Sequence, residues 1–404
     1  MGKLFRLPNI YIILLISHII MGYINAPVSI LRIVYISRYA LEIWFIYNCF
    51  KYLSSSPYMK MLTLLVVVFL LYGCFLLLIG VDSSWRIAGD WGRQYITDYV
   101  GSLIPIFIFY YLGVTGQINE KWFFGVAILF LICASVEYYY ASKNILLNNI
   151  SESTEGYVNN MGYLILSVFP AIMFIGKKPV LQYVALGIVF VLVIMSYKKG
   201  AILTYIAALL YFIPSNLSSK GNSKRRMFII FLSFVAILLG AEYFKNTLAN
   251  DFVLQTRFEN AANGQFGARE DIYSQTVHYI FNENNPITLL FGNGAYSTCK
   301  YFGTMAHNDW IEITMDLGFV GLFLYLRYWI ILYKTMRRSK NIVSKEIFDA
   351  MALFCIIYFI PTFFSMSISS ITIYSGSVIG FCAGAFARIE TSDNLLINQE
   401  NGNF

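Results

Sequence analysis

Charge is what this sequence has least of. Only 13% of its 404 residues are Asp, Glu, Lys or Arg, against about 25% in soluble domains. Hydrophobic residues make up 58%, and mean hydropathy is +0.63. A soluble globular domain is excluded, and a polytopic membrane protein remains. The net charge of +7 does not indicate nucleic acid. The cations sit in short links between apolar runs, where they act as a topology signal. Cysteine usage excludes a disulfide framework and a metal site. Of the six cysteines, Cys49, Cys74, Cys133, Cys355 and Cys382 lie inside apolar runs and Cys299 stands alone in a loop. A clean small-x-small cleavage site is also lacking after the basic, then apolar, start "MGKLFRLPNIYIILLISHIIMGYI". That stretch is expected to be a retained first span. Arg6 stands where a myristoylation motif requires Ser or Thr. No internal repeat is visible.

Long apolar runs are what the chain has in abundance. They fall near 8–24, 28–50, 61–81, 99–113, 121–141, 158–176, 180–196, 200–214, 227–245, 310–333, 347–366 and 369–388. Each is close to the ~20 residues that cross a bilayer core. The expected fold is all-α, with about 12 transmembrane helices and one large periplasmic loop containing short helices. With the N-terminus inside, most of the 29 Lys and Arg fall in cytoplasmic links, including Lys177, Lys178, Arg225, Arg226, Arg337 and Arg338. Both termini are then cytoplasmic. Three regions follow: residues 1–245 with about nine helices, the outer loop 246–309, and residues 310–404 with about three helices and a short cytoplasmic tail. The loop is too long for a simple connector and is expected to carry function. Within it, "FGAREDIYSQTVHYIFN" places Ile272, Tyr273, Thr276, Val277 and Ile280 on one stripe of an amphipathic helix near 268–281. An earlier outer stretch, "DSSWRIAGDWGRQYITD", is expected to lie along the interface.

The polar residues that break the apolar pattern gather on the outer side. Lys177–Lys178 and Lys198–Lys199 flank a single apolar run, so one pair must face outwards against the charge rule. The basic clusters at 220–226 and 334–340 make Lys198 and Lys199 the outer pair, suited to a lipid phosphate. Arg257 and Arg269 are the internal cations of the outer loop, and arginine captures phosphate oxygens in bidentate fashion. "AHNDWIEITMDLGFVGL" opens a membrane helix with His307, Asn308, Asp309, Glu312 and Asp316. Asn308 or Asp309 can cap that helix, and Asp309 with Glu312 has capping-box spacing. Asp309, Glu312 and Asp316 also share one face, which in a span usually meets a polar cavity. Gly318 and Gly321 allow close helix contact further along. Capping leaves His307 unexplained. It sits at the outer surface with acids one turn below that can orient it, which suits a general base. His18 and His278 are read as structural. Arg38 and Glu42, at i and i+4, are spaced for an intramembrane pair.

Four stretches, taken in order, resemble the O-antigen polymerase and ligase superfamily of bacterial membrane glycosyltransferases. "EGYVNNMGYLILSVFP" is similar to its Gly- and Asn-bearing entry to a span, and "MSYKKGAIL" to the stretch where it usually carries Ser-Arg-Gly. "GARED…NPITLLFGNGAYS" is similar to its Gly-Arg helix followed by a Gly-x-Gly loop, and "AHNDWIEITMDLGFVGL" to its His-Asn motif. The departure is lysine where the family has arginine, which keeps the charge but loses the bidentate fork.

The resemblance implies glycosyl transfer at the periplasmic face of the bacterial inner membrane. The donor would be an undecaprenyl-diphosphate-linked oligosaccharide and the acceptor a sugar hydroxyl. No cofactor, metal or nucleic acid is implied, while membrane lipid and a chain-length regulator protein are implied as partners. His307 and Arg269 would be catalytic. Lys198, Lys199, Arg257, Asn308, Glu312 and Asn160 would bind substrate. By resemblance the polymerase activity is favoured over the ligase. A transporter of lipid-linked sugars would call for inverted repeats and charges at midplane, and the chain has neither pattern.

Overall fold

The structure, a computed structural model, describes residues 6–23, 27–79, 91–147, 161–196, 198–217, 268–283, 285–365 and 367–401. Among the described residues every regular element is helical. The elements are α1 (Leu7–Tyr23), α2 (Val28–Cys49), α3 (Pro57–Ile79), α4 (Trp91–Tyr95), α5 (Ile104–Val114) and α6 (Glu120–Leu147). They continue with α7 (Met161–Ile175), α8 (Pro179–Met195), α9 (Lys199–Leu217), α10 (Ala268–His278), α11 (Pro286–Phe291) and α12 (Ser297–Phe302). The chain closes with α13 (Asp309–Ser339), α14 (Lys345–Phe359) and α15 (Ile373–Asn401). Among the described residues, five helical stretches are long and apolar enough to cross a membrane: Pro57–Leu78, Gly92–Val114, Glu120–Tyr140, Asp309–Ser339 and Lys345–Phe363. Leu7–Met21, α7 and α8 are apolar but shorter. The apolar run at 227–245 and the outer loop up to residue 267 lie outside the described residues.

Packing is closest where side chains are smallest. Gly376, Gly380 and Gly384 recur every four residues on α15 and face α5. A Cβ on Gly380 would lie 2.4 Å from the Ile106 carbonyl oxygen, and one on Gly384 2.3 Å from that of Tyr110. Lipid tails are as apolar as leucine, so helices in a bilayer gain from close backbone approach and dispersion. The same device recurs at Trp91. Of the outer stretch expected along the interface, residues 82–90 lie outside the described residues. The rest is helical from Trp91 and runs through a π turn (Ile96–Val100) and a 3-10 turn (Gly101–Leu103) into α5. A Cβ on Gly92 would sit 2.8 Å from the Gly73 carbonyl oxygen, so α4 is drawn flush against α3.

A second seam is polar. Arg38 Nε lies 3.1 Å from Glu42 Oε1, as the i, i+4 spacing on α2 requires. The Tyr11 hydroxyl donates to the same carboxylate oxygen at 3.1 Å, and His18 meets Arg38, so the pair also ties α1 to α2.

The course of α13 sets its acidic start apart. Its 31 residues are interrupted at Gly318, whose φ of 65° and ψ of −165° are not helical. Asp309, Glu312 and Asp316 all lie in the short head before that break, and the apolar stretch from Phe319 onwards lies after it.

Candidate active site

The head of α13 is built by its own acids. Asn308 is the N-cap, its Oδ1 accepting from Trp310 N at 3.0 Å and Ile311 N at 3.2 Å. Asp309 is thereby released from capping. Its carboxylate accepts from the Tyr325 hydroxyl at 2.6 Å, Ser367 N at 2.9 Å and Ile368 N at 3.1 Å. Glu312 accepts from Thr298 Oγ1 and from Ala306 N. Asp316 accepts from Tyr296 N at 3.1 Å, Ser297 N at 2.8 Å and Ser297 Oγ at 2.7 Å. All three are almost fully buried, none more than 2% exposed. Burying a carboxylate is costly unless donors surround it, and each has two or three. Their shared face gathers residues 367–368, 306 and 296–298 around the helix head.

Between these anchors stands His307, with φ 53°. A non-glycine residue in the left-handed region costs about 1–2 kcal/mol and persists only where its surroundings over-determine it. Here they do. Ala306 N on one side is held by Glu312, and Asn308 on the other is fixed as the cap. The His307 carbonyl also accepts from the Tyr273 hydroxyl at 3.4 Å. The imidazole itself is exposed. A rigid backbone carrying an accessible ring is what a general base needs.

Tyr273 brings in the loop helix. Arg269 belongs to the same helix, α10, one turn earlier in the sequence. Thr276 and Ile280 on the expected apolar stripe are buried, while Val277 is 42% exposed.

The lysines arrive from the other side. Lys198 precedes α9 and its Nζ lies 5.8 Å from the centroid of the Tyr163 ring, a cation–π contact, while Lys199 opens the helix and is exposed. Gly200 is pressed flat: a Cβ there would be 2.2 Å from the Tyr163 hydroxyl oxygen and 2.6 Å from the Phe364 ring. Asn308 Nδ2 in turn donates to the Phe363 carbonyl at 2.9 Å. The lysine turn and the histidine turn thus meet on adjacent residues. Arg257 and Asn160 lie outside the described residues. Both ends of the Asn308 amide and both oxygens of Glu312 are engaged within the protein.

Two features escape the sequence reading. One is the link between α14 and α15, where 3-10 turns at Ile360–Phe363 and Ile368–Ser370 replace helix. The signal was present as a run of hydroxyls, "PTFFSMSISSIT", but it merges into apolar runs on both sides. The other is the use of the Gly-x-Gly loop. Gly318 has φ 65° and ψ −165°, which breaks α13 and leaves carbonyls of the preceding turn without helical partners. Asn293 N donates to the Met315 carbonyl at 2.9 Å and Gly294 N to that of Asp316 at 3.1 Å. Gly292 fits because its φ is 84° and a Cβ would collide with Asp316. The loop's amides are spent on the helix. Gly318 allows close approach, as expected, but to Leu290–Gly292. Gly321 instead faces Leu317 of its own helix. Cys299 lies in the same knot, where burial and then the nearby Glu312 and Asp316 push its thiol up to about 12. It stays protonated at neutral pH and is no nucleophile.

Residues 184–326 match a family model described as O-antigen ligase. The match runs from within α8 to just past the Gly318 break and takes in Lys198, Arg269 and the acidic head of α13. It is consistent with the O-antigen polymerase and ligase superfamily. No curated protein matches the chain.

Proposed function

We propose that this membrane protein, with its O-antigen ligase family segment, is a surface-polysaccharide polymerase that joins undecaprenyl-diphosphate-linked repeat units at the periplasmic face of the inner membrane. The observation that carries the reading is His307: an exposed imidazole on a left-handed backbone that two neighbouring elements hold in place. In the reaction, its ring nitrogen takes the proton from an acceptor sugar hydroxyl as that oxygen attacks the anomeric carbon of the donor. The new glycosidic C–O bond forms while the C–O bond to the lipid diphosphate breaks, and the electron pair leaves with the diphosphate. Arg269, with Lys198 or Lys199 and Arg257, stabilises that growing negative charge. Asn160, Asn308 and Glu312 complete the substrate-binding set: Asn308 and Glu312 shape the acceptor side through the turns they hold, and Asn160 lies just before α7. A lipid diphosphate is already a good leaving group.

Transfer of a finished chain to lipid A-core, the ligase reaction, is the same chemistry with another acceptor. A gel of surface glycolipid from a strain lacking the protein separates the two. Core carrying a single repeat and no ladder is expected for the polymerase, whereas bare core with polymer left on the carrier would identify the ligase. Complementation with His307→Ala is expected to leave the defect in place, since loss of a general base costs about 10²–10⁴ in rate. A normal ladder from normally expressed His307→Ala would remove the catalytic assignment.

A further inference from the structure

One face of the outer segment plays no part in that chemistry. The π turn Tyr279–Glu283 and α11 leave Phe281, Ile287, Leu290 and Phe291 exposed, Ile287 at 71% and Phe281 at 63%. Four large apolar side chains bare on a segment expected to stand in water call for a partner. We propose that α11 and the turn before it form a foot sunk in the hydrocarbon of the bilayer leaflet on the α13-head side, with lipid acyl chains as its partner. The inference needs only that the chain is a membrane protein, and it goes beyond the glycosyl-transfer reading.

Depth is the first argument. The Tyr58 hydroxyl of α3 lies 3.5 Å from the Tyr328 hydroxyl of α13. The Tyr72 hydroxyl donates to the Phe291 carbonyl, and the neighbouring backbone of Leu290 and Gly292 packs on Gly318. α3 and α13 are therefore antiparallel, with Tyr72 level with the Gly318 break and the rest of α3 running on towards the head side. That rest, residues 73–79, reads "GCFLLLI" and holds no charge. It adds about 10 Å of apolar helix beyond Tyr72 at ~1.5 Å per residue. Apolar helix of that kind lies in hydrocarbon, and α11 is held beside it.

Continuity is the second. On either side of Tyr72, Leu71 and Phe75 are exposed on α3. On the other flank the Phe281 and Phe319 rings lie 6.2 Å apart, and Val320 and Phe323, next along α13, are exposed. Both helices are long and apolar enough to span the membrane, and the foot joins their bare surfaces.

Backbone satisfaction is the third. Lipid offers no hydrogen bonds, so a segment within it must pair its own polar groups. Asn285 Oδ1 accepts from Ile287 N at 2.9 Å and Thr288 N at 3.0 Å. The Asn285 carbonyl accepts from Leu289 N at 2.9 Å and Thr288 Oγ1 at 3.0 Å. Gly292 N donates to the Thr288 carbonyl at 2.7 Å. Water would serve the Phe291 carbonyl on a wet surface, whereas here a hydroxyl from another span does so. The polar residues Asn282, Glu283 and Asn285 stand together before α11, so the foot is amphipathic, as elements at a lipid–water boundary are.

The test begins with wild type in nanodiscs whose lipid carries a photoreactive diazirine midway along one acyl chain. Irradiation and peptide mapping are expected to place lipid adducts on residues 281–291 as well as on the exposed face of α3. Adducts on α3 with none on 281–291 would overturn the inference. A second measurement shows what stands there instead. In a chain whose six native cysteines are replaced, nitroxide labels are attached at Ile287→Cys, at Leu78→Cys as lipid reference and at Asp271→Cys as water reference, all three positions being exposed. The ratio of oxygen to nickel-chelate accessibility at Ile287 is expected to approach that at Leu78 and to exceed that at Asp271 severalfold. A ratio equal to that at Asp271 would put the foot in water. Low access to both reagents would mean that a second copy, or another segment of this chain, covers it. Either result overturns the proposal. Should a labelled chain fail to fold, the photolabelling of wild type, which needs no substitution, decides.

Discussion

At the scale of single residues, the acids of α13 act as anchors for other segments. Asp309 gathers three donors from two places in the chain, Tyr325 within its own helix and Ser367–Ile368 beyond α14. Asp309→Asn keeps the size but turns one acceptor oxygen into a donor facing N–H or O–H groups. The cost is expected at about 1–3 kcal/mol, read as a lower melting temperature in detergent, with a secondary loss of activity as the 361–370 link shifts. Spacing alone could place Asp309, Glu312 and Asp316 on one face. It could not say that Asn308 would take the cap and free Asp309, because capping is decided by which backbone residue is extended, and that is Asn308 at φ −148°.

At the scale of elements, two helices owe their form to glycine. In α13, Gly318 holds φ 65° and packs its α-carbon against Leu290–Gly292, where a Cβ would come within 2.4 Å of backbone atoms. Gly318→Ala is expected to undock the Gly-x-Gly loop, since it adds both backbone strain and a clash that no rotamer relieves. Greater protease cleavage near residues 290–296 than in wild type is the measurement that would reveal it. In α15 the three glycines at four-residue spacing face α5. Gly384→Leu should force those helices apart, with overpacking costing on the order of 1–3 kcal/mol or more and a matching fall in thermal stability. The amphipathic loop helix at 268–281 was legible from its periodicity, and the structure places α10 at Ala268–His278 followed by a π turn at Tyr279–Glu283. The break in α13 was not, because "DLGFVGL" reads as continuous helix until the loop that fills it is known.

At the scale of the whole molecule, α13 sets an axis. His307 stands just before its start, and Arg337, Arg338 and Lys340 stand at its far end, past the Gly318 break. In a chain whose six native cysteines are replaced, His307→Cys should react with a membrane-impermeant maleimide added outside. Lys340→Cys should react only after the membrane is opened. The reverse pattern would invert the orientation drawn from the charge bias.

Composition by itself determined the solvent this protein lives in, because apolar surface on this scale can be buried only in lipid or in other apolar helices. Periodicity determined that the chain is helical, since a spanning segment must satisfy its own backbone. Short motifs singled out His307, Arg269 and the lysine pair, because their polar atoms interrupt apolar runs at the helix ends. Only the tertiary structure decided that the lysine turn and the histidine turn meet on Phe363 and Phe364, and that a hydroxyl-lined link lies between them. Those relations join residues far apart in the sequence, Asn308 to Phe363 across 55 positions and Gly200 to Phe364 across 164. Contacts at that separation arise from helix packing, which no local pattern encodes.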